Sequence, residues 1–289
     1  MSEQALEAPG RAAILTPEAA AGDRRPRRGR RRWTGRILPI YTGVVMLYLV
    51  LPILVMIMYT FNQSSNNRVT LNWQGFTIYW WLHTFDVTDL TSALKVSIGL
   101  AAASTVVATV LGTLIGLALV RYRFRGQAGF DVVMFMNISA PEIVLGSSLL
   151  ALFVTLHFTR GFVTLLMAHV MFSIAYVAIT VRARLTGFDR SLEEAAQDLG
   201  ANPWVTFYKV TLPLIWPGVL AGALLAFALS IDDFVTSSFV AGQTVTFPLW
   251  VFGAVKTGIP PQVFVMGTMI FTFGVALAIA NLLVQRRKA

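Results

Sequence analysis

Six uninterrupted apolar runs, at about residues 37–60, 93–120, 130–156, 162–181, 213–233 and 263–284, constrain this chain more than any other feature. A helix needs roughly 20 apolar residues to cross a bilayer, and each run is that long. In hydrocarbon every backbone N–H and C=O must be satisfied internally, which leaves only helices and closed barrels. Barrel strands alternate in polarity over about ten residues, whereas these runs are continuous and about twice that length. The expected fold class is therefore all-α integral membrane, with six transmembrane helices. Composition agrees, since 56% of residues are hydrophobic and 13% charged, outside the range of ordinary soluble domains. Gly112 to Gly116 and Gly218 to Gly222 are four-residue spacings of the kind that lets membrane helices approach closely. The chain has no cysteine, which excludes disulfides, thiolate metal sites and a cysteine nucleophile.

Charge placement gives the orientation. The net charge of +9 would suggest a nucleic-acid partner in a soluble protein. Here eight arginines fall in residues 24–36, directly before the first span, which reads as a juxtamembrane anchor on anionic lipid. No nucleic-acid partner is expected. Residues 1–23 lack periodicity and read, with the arginine run, as a disordered basic tail over 1–36; residues 37–289 form the membrane domain. Nineteen of the twenty-three Lys and Arg residues lie before the first span, at 121–125, at 182–209 or at the C-terminus. The positive-inside rule then puts both termini and the 182–212 loop in the cytoplasm. Trp73, Tyr79, Trp80 and Trp81 in the loop 61–92 suit the opposite membrane interface.

One polar stretch, RSLEEAAQDLGANPWVTFYKVTLP from Arg190 to Pro213, interrupts the second half of the chain. Ser191 and Glu194 have capping-box spacing, so a short helix is expected from Leu192. Leu192, Ala195, Ala196 and Leu199 fall on one stripe, with Glu193, Gln197 and Asp198 turned away. Gly200 suits a left-handed C-cap, and Asn202 followed by Pro203 suits a new helix start. The expectation is two short helices meeting at a glycine elbow. Periodicity alone fits equally a surface helix-turn-helix that closes a loop.

Spacing goes further. Glu194, Ala195, Ala196 and Gly200, then nine residues, then Val210, Leu212 and Pro213 resemble the EAA signature of ABC importer permeases. Only Val210, where isoleucine is commoner, departs from it. The resemblance implies a type I importer permease fold in a bacterial inner membrane. It also implies that the first short helix is a coupling helix seated in a groove of a separate ATPase subunit. The ATPase-coupling residues would be Glu194, Ala195, Ala196, Gly200, Leu212 and Pro213. A second homologous permease, two ATP-binding subunits and an extracytoplasmic substrate-binding protein are the implied partners. ATP and Mg would bind the partner subunit and no cofactor this chain. None of Lys95, Lys209, Lys256 or Lys288 follows a glycine, so a P-loop is absent, and no catalytic residue is expected.

Ionisable residues inside a bilayer cost at least ~2.5 kcal/mol at its centre and so usually face a cavity or a partner. Glu142 follows Pro141 in the third run, where the proline should kink or break the helix. It either lines a pathway or pairs with a neighbour. Asp232 and Asp233 lie nineteen and twenty residues beyond Pro213, roughly 28 to 30 Å at ~1.5 Å per residue, which puts them at the outer end of the fifth helix. Adjacent helical positions point about 100° apart, so one of the two should face a pore, and the alternative is a cap on the helix end. His83, His157 and His169 are too scattered for a metal site and receive no role.

Segments from Pro141, Gly187, Leu229 and Phe247 also resemble the spermidine/putrescine branch of these permeases, the paired aspartates before a Phe-Val-x-x-Ser-Phe-Val run most specifically. That likeness implies a polyamine substrate, with Glu142, Asp232 and Asp233 as substrate-path candidates. The branch also serves opines and other small organic solutes, and this chain reads Pro261, Gln262, Val263, Phe264 where polyamine permeases carry Pro-Glu-hydrophobic-Asn. Two other classes are weighed: an ion-coupled secondary transporter with Glu142 as proton carrier, which needs no EAA loop, and a membrane aspartyl protease, which needs aspartates converging from separate helices.

Overall fold

The computed structural model describes residues 31–64, 66–70, 72–187 and 189–286. Residues 1–30 of the expected tail lie outside the described residues, and residues 31–36, expected to be disordered, are instead helical and begin the first helix. The first helix, α1 (Arg31–Tyr59), contains Pro39 and Pro52, and its part up to Ile53 forms a unit by itself. From Leu54 onward the chain is a second compact unit. It comprises α2 (Tyr79–Leu82), α3 (Thr88–Arg121), α4 (Gln127–Ser139), α5 (Glu142–Thr155), α6 (Phe162–Leu185), α7 (Ser191–Asp198), α8 (Pro203–Thr206), a π-helical turn (Phe207–Thr211), α9 (Leu212–Asp232), α10 (Val235–Val240), α11 (Phe247–Ala254) and α12 (Gln262–Arg286). Among the described residues β pairing is limited to one antiparallel bridge between Asn62 and Phe76.

Among the described residues five helices are long and apolar enough to cross a membrane: Ile37–Tyr59, Thr88–Arg121, Phe162–Leu185, Pro203–Asp232 and Gln262–Asn281. The third apolar run of the sequence is a pair instead, α4 and α5, bent by 108°. Its cause is local. Pro141 has no N–H and disfavours the helical region for the residue before it, and Ala140 and Pro141 are both extended, with ψ of 136° and 132°.

The core is built on α6, which packs against both α3 and α9. Val177, Val181 and Leu185 of α6 meet Leu117, Ile215, Val219 and Ala226 in one buried cluster. The glycine spacings make this approach possible. A Cβ added at Gly112 would stand 2.7 Å from Val177 Cβ and 3.0 Å from the Ile174 carbonyl oxygen, and one at Gly116 would stand 2.9 Å from the Ala178 oxygen. On the other flank, Gly218 abuts Arg184 and Gly222 abuts Val177.

The polar stretch departs from expectation in two ways. No capping box forms: the Asp189 carboxylate accepts from the Ser191 backbone N–H at 2.9 Å and so starts α7 itself, leaving Ser191 inside the helix. The second helix is not short, because from Pro203 it continues unbroken into the fifth span. The elbow between the two has the expected chemistry. Gly200 sits at φ +86°, the Ala201 N–H reaches back to the Ala196 carbonyl at 3.0 Å, and Asn202 Oδ1 accepts from Val205 N–H at 2.9 Å. Pro213 explains the π turn. Without an N–H it cannot bond the carbonyl one turn back, and the helix absorbs this by widening, with Leu212 N–H bonding Phe207 oxygen.

The aromatic loop is less a membrane belt than expected. Trp80 is buried and donates to the Asn62 carbonyl at 2.9 Å, while Trp81 donates to Thr60 Oγ1 at 3.2 Å. Trp73 and Tyr79 remain about half exposed.

Candidate functional site

The three carboxylates singled out in the sequence converge. Glu142 opens α5 just after the bend, Asp232 ends α9 and Asp233 follows it, and all three line one cavity of about 330 Å³ together with Asn137, Tyr176 and Thr236. Counting along one helix puts the aspartates at the outer end of the bundle; cross-helix bonds place them deeper. Ser104 Oγ donates to Ser230 Oγ at 3.0 Å, and Ser104 is halfway along α3. His169, which meets the same serine, is seven residues inside α6. The fifth span therefore stops short of the bundle's end, and α10 fills the remaining space against α5 and α6, with Val240 and Ala241 packed on Leu100, Phe153, Leu165 and Ala168.

The neighbouring aspartates do different work. Asp232 is exposed and opens on the cavity. Asp233 has a side chain only 6% exposed and caps α10: its carboxylate accepts from Ser237 N–H at 2.7 Å, Ser237 Oγ–H at 2.7 Å and Thr236 N–H at 3.3 Å. Three donors thus converge on one carboxylate. Beside it lies His169, fully buried, with Nδ1 2.7 Å from Ser230 Oγ and Nε2 3.1 Å from Ser237 Oγ and 3.5 Å from Asp233 Oδ2. Sequence reasoning gave His169 no role. Its one signal was a titratable ring inside an apolar span, and its partners stand more than sixty residues away.

At the opposite end of the bundle, α7 shows the expected stripe, but facing outward. Leu192 is 49% and Leu199 90% exposed, and Ala195, Glu194, Gln197 and Asp198 are exposed beside them. Glu193 is turned away from that stripe, as the spacing has it, and with the stripe outward this carries it toward the bundle. It is drawn inward because Arg121, the last residue of α3, and Thr211, in the π turn, both donate to its Oε1. Arg121 also donates to Thr211 Oγ1 at 3.1 Å. Glu194, Ala195 and Gly200, exposed, and Ala196, partly exposed, thus share one segment, whereas Leu212 and Pro213 lie apart from it, at the start of α9.

Comparison with known proteins follows this geometry. Residues 108–289 match the family model for the binding-protein-dependent transport system inner membrane component. The spermidine/putrescine transport system permease protein PotC of Haemophilus influenzae is 40% identical over 84% of this chain and 94% of its own. The putrescine transport system permease protein PotI of Escherichia coli K12 is 39% identical over 81% and 85%. Among solved structures, a bacterial ABC transporter involved in import of the acidic polysaccharide alginate superposes with a TM-score of 0.63 at 18% identity, covering 89% of this chain and 96% of that one. The methionine transporter MetNI in an inward-facing conformation gives 0.56 at 16% identity, over 69% and 96%. Likeness at that identity shows a shared fold, and the family-model match, which runs from within α3 to the C-terminus, and the two relatives supply the rest: the chain belongs to the family of inner membrane components of binding-protein-dependent transport systems.

Proposed function

We propose that this chain is one of two permease subunits of an ATP-driven importer of polyamines, with its substrate path at the cavity of Glu142, Asp232 and Asp233. The observation that carries the reading is this cavity, a pocket with carboxylates built where two helices break inside an otherwise apolar bundle. Broken helices that line a cavity are the usual way for polar backbone to exist at membrane depth. Asp233 is held by α10, which leaves Glu142 and Asp232 as the carboxylates open to a diammonium substrate. The polyamine relatives named above support that substrate class. Gln262 and Phe264, where this chain departs from polyamine permeases, do not line the cavity, so the departure leaves its charge unchanged.

The exposed stripe of α7 is the docking surface for an ATPase subunit, in the helix-in-groove mode, and the Lys and Arg residues at 121–125 and 182–209 support a cytoplasmic side for it. ATP and Mg belong to the ATPase partner, and a soluble binding protein delivers substrate to the opposite side. Docking of the ATPase moves α7, and the bundle opens the cavity to one side or the other.

The test is ATPase activity of the reconstituted complex with putrescine, spermidine, and neutral and anionic controls. Stimulation by the polyamines alone is expected; stimulation only by a neutral or anionic solute refutes the cation reading. Asp232→Asn should raise the KM for putrescine about 10- to 100-fold, the ~1.5–3 kcal/mol of a charge-assisted hydrogen bond, with the complex intact. Uptake that survives ATP depletion and fails with the proton gradient would establish an ion-coupled carrier instead.

A further inference from the structure

The α7 helix has no buried residue. Its apolar stripe is free for another chain, so its hold on its own chain is polar. Arg190 Nη2 donates to the Val120 carbonyl at 3.0 Å, the Gly200 elbow leads on to α8, and the Glu193 carboxylate takes bonds from Arg121 and Thr211. This last contact differs in kind from the others. Arg121 and Glu193 form an ion pair with side chains 31% and 15% exposed, and the Thr211 hydroxyl is fully buried. The three side chains bond one another in a closed triangle, and each belongs to a different element.

Those elements lead to the cavity. Arg121 terminates α3, whose Ser104 bonds Ser230 beside the aspartates. Thr211 ends the π turn that feeds α9, and α9 ends at Asp232, about 31 Å away at ~1.5 Å per residue. Both helices pack on α6 along glycine contacts that leave little room to slide. A displacement of Glu193 therefore reaches two packed rods together. The π turn lies where the helix is least regular, and such turns are frequent at functional sites.

We propose that Glu193, one residue ahead of the motif glutamate, is the positioning residue that passes movement of α7 to α3 and α9, acting through Arg121 and Thr211. The inference rests on the reading of α7 as the ATPase-docking helix. Loss of the carboxylate leaves the docking stripe untouched and lets α7 move without the bundle.

The experiment uses the full transporter, this chain with its partner permease, ATPase and binding protein, reconstituted in lipid vesicles with radiolabelled putrescine as the probe. In Glu193→Ala the complex and its ATP hydrolysis are expected to persist within about two-fold, while putrescine moved per ATP falls at least ten-fold. Glu193→Arg should behave alike, and the exchange Glu193→Arg with Arg121→Glu should restore at least a third of the transport. A second readout needs no substrate: spin labels on the exposed positions Gln197 and Arg123 hold their separation when ATP binds, and in Glu193→Ala that separation widens. Unchanged transport per ATP in Glu193→Ala, failure of the exchanged pair to rescue, or a label separation that changes equally with and without Glu193 overturns the proposal. A complex that no longer assembles without Glu193 also overturns it, making the residue a brace. An unmutated complex that hydrolyses no ATP is a different result and sinks the docking reading instead.

Discussion

Replacing Gly112 with alanine puts a methyl group where the α3 to α6 contact has no space for one. The added Cβ would stand 2.7 Å from Val177 Cβ, 2.8 Å from Val177 Cγ1 and 3.0 Å from the Ile174 carbonyl oxygen. Carbon atoms prefer about 3.5–4.0 Å, so the helices must part by roughly an ångström. The Ile174 oxygen is main chain and cannot rotate away. Overpacking of this kind costs about 1–3 kcal/mol. Against it stands the helix preference of alanine over glycine, worth about 1 kcal/mol. Gly99 lies in the same helix with nothing within 4 Å of its added Cβ, so Gly99→Ala keeps the propensity gain without the clash. The expected outcome is that Gly99→Ala is neutral to about 1 kcal/mol stabilising, and that Gly112→Ala falls below it by about 1–3 kcal/mol, the overpacking cost alone. Reversible unfolding of the purified chain in mixed detergent micelles measures both. If the two variants agree within about 0.3 kcal/mol, the α3 to α6 contact does not depend on the absence of a side chain at Gly112, and the packing account of this core fails.

Three further outcomes are expected. Gly200→Val places a β-branched residue at φ +86°, strained by about 1–3 kcal/mol, so ATP hydrolysis should continue while transport per ATP drops; normal transport would free the elbow from any role in coupling. His169→Ala takes one hydrogen bond from each of the hydroxyls of Ser230 and Ser237, which keep Ser104 and Asp233 as partners, each loss costing about 0.5–1.5 kcal/mol, and should lower the thermal midpoint of the complex more than alanine at the exposed His157. The Asp189 carboxyl is held below the usual carboxylate range by the N–H and hydroxyl of Ser191. A depressed pKa in the folded chain means stability present above the unfolded pKa and lost as pH falls through the folded one. Exchange of the Ser191 amide, corrected for its intrinsic rate, should therefore accelerate below about pH 4, and in Asp189→Asn that acid-dependent step should vanish.

Hydrophobic run length alone determined that this is a helical membrane protein, because hydrocarbon offers a peptide group no partner outside its own segment. Local chemistry was equally legible where it depends on neighbours in sequence. Gly200 with Asn202 and Pro203 marked the elbow, Pro141 the interruption of the third run, and the glycine spacings the close helix approaches. The spacing from Glu194 to Pro213 marked the segment that we propose docks the ATPase. Sequence could not give the start of α7, since Ser191 could cap the Glu194 amide or donate its own amide to Asp189, and geometry chose the second. Nor could it give the partner of Glu193: periodicity turned that residue away from the apolar stripe, but Arg121, which meets it, is seventy-two residues away. The depth of Asp232 and Asp233 and the work of His169 belong to the same class. A count along one helix gives length, but depth is measured against the helices beside it, and only packing of α3, α6, α9 and α10 sets Ser104, His169, Ser230 and Asp233 side by side. Sequence determines what each segment satisfies within itself; tertiary structure decides which polar groups, unable to be satisfied locally, find one another across the bundle.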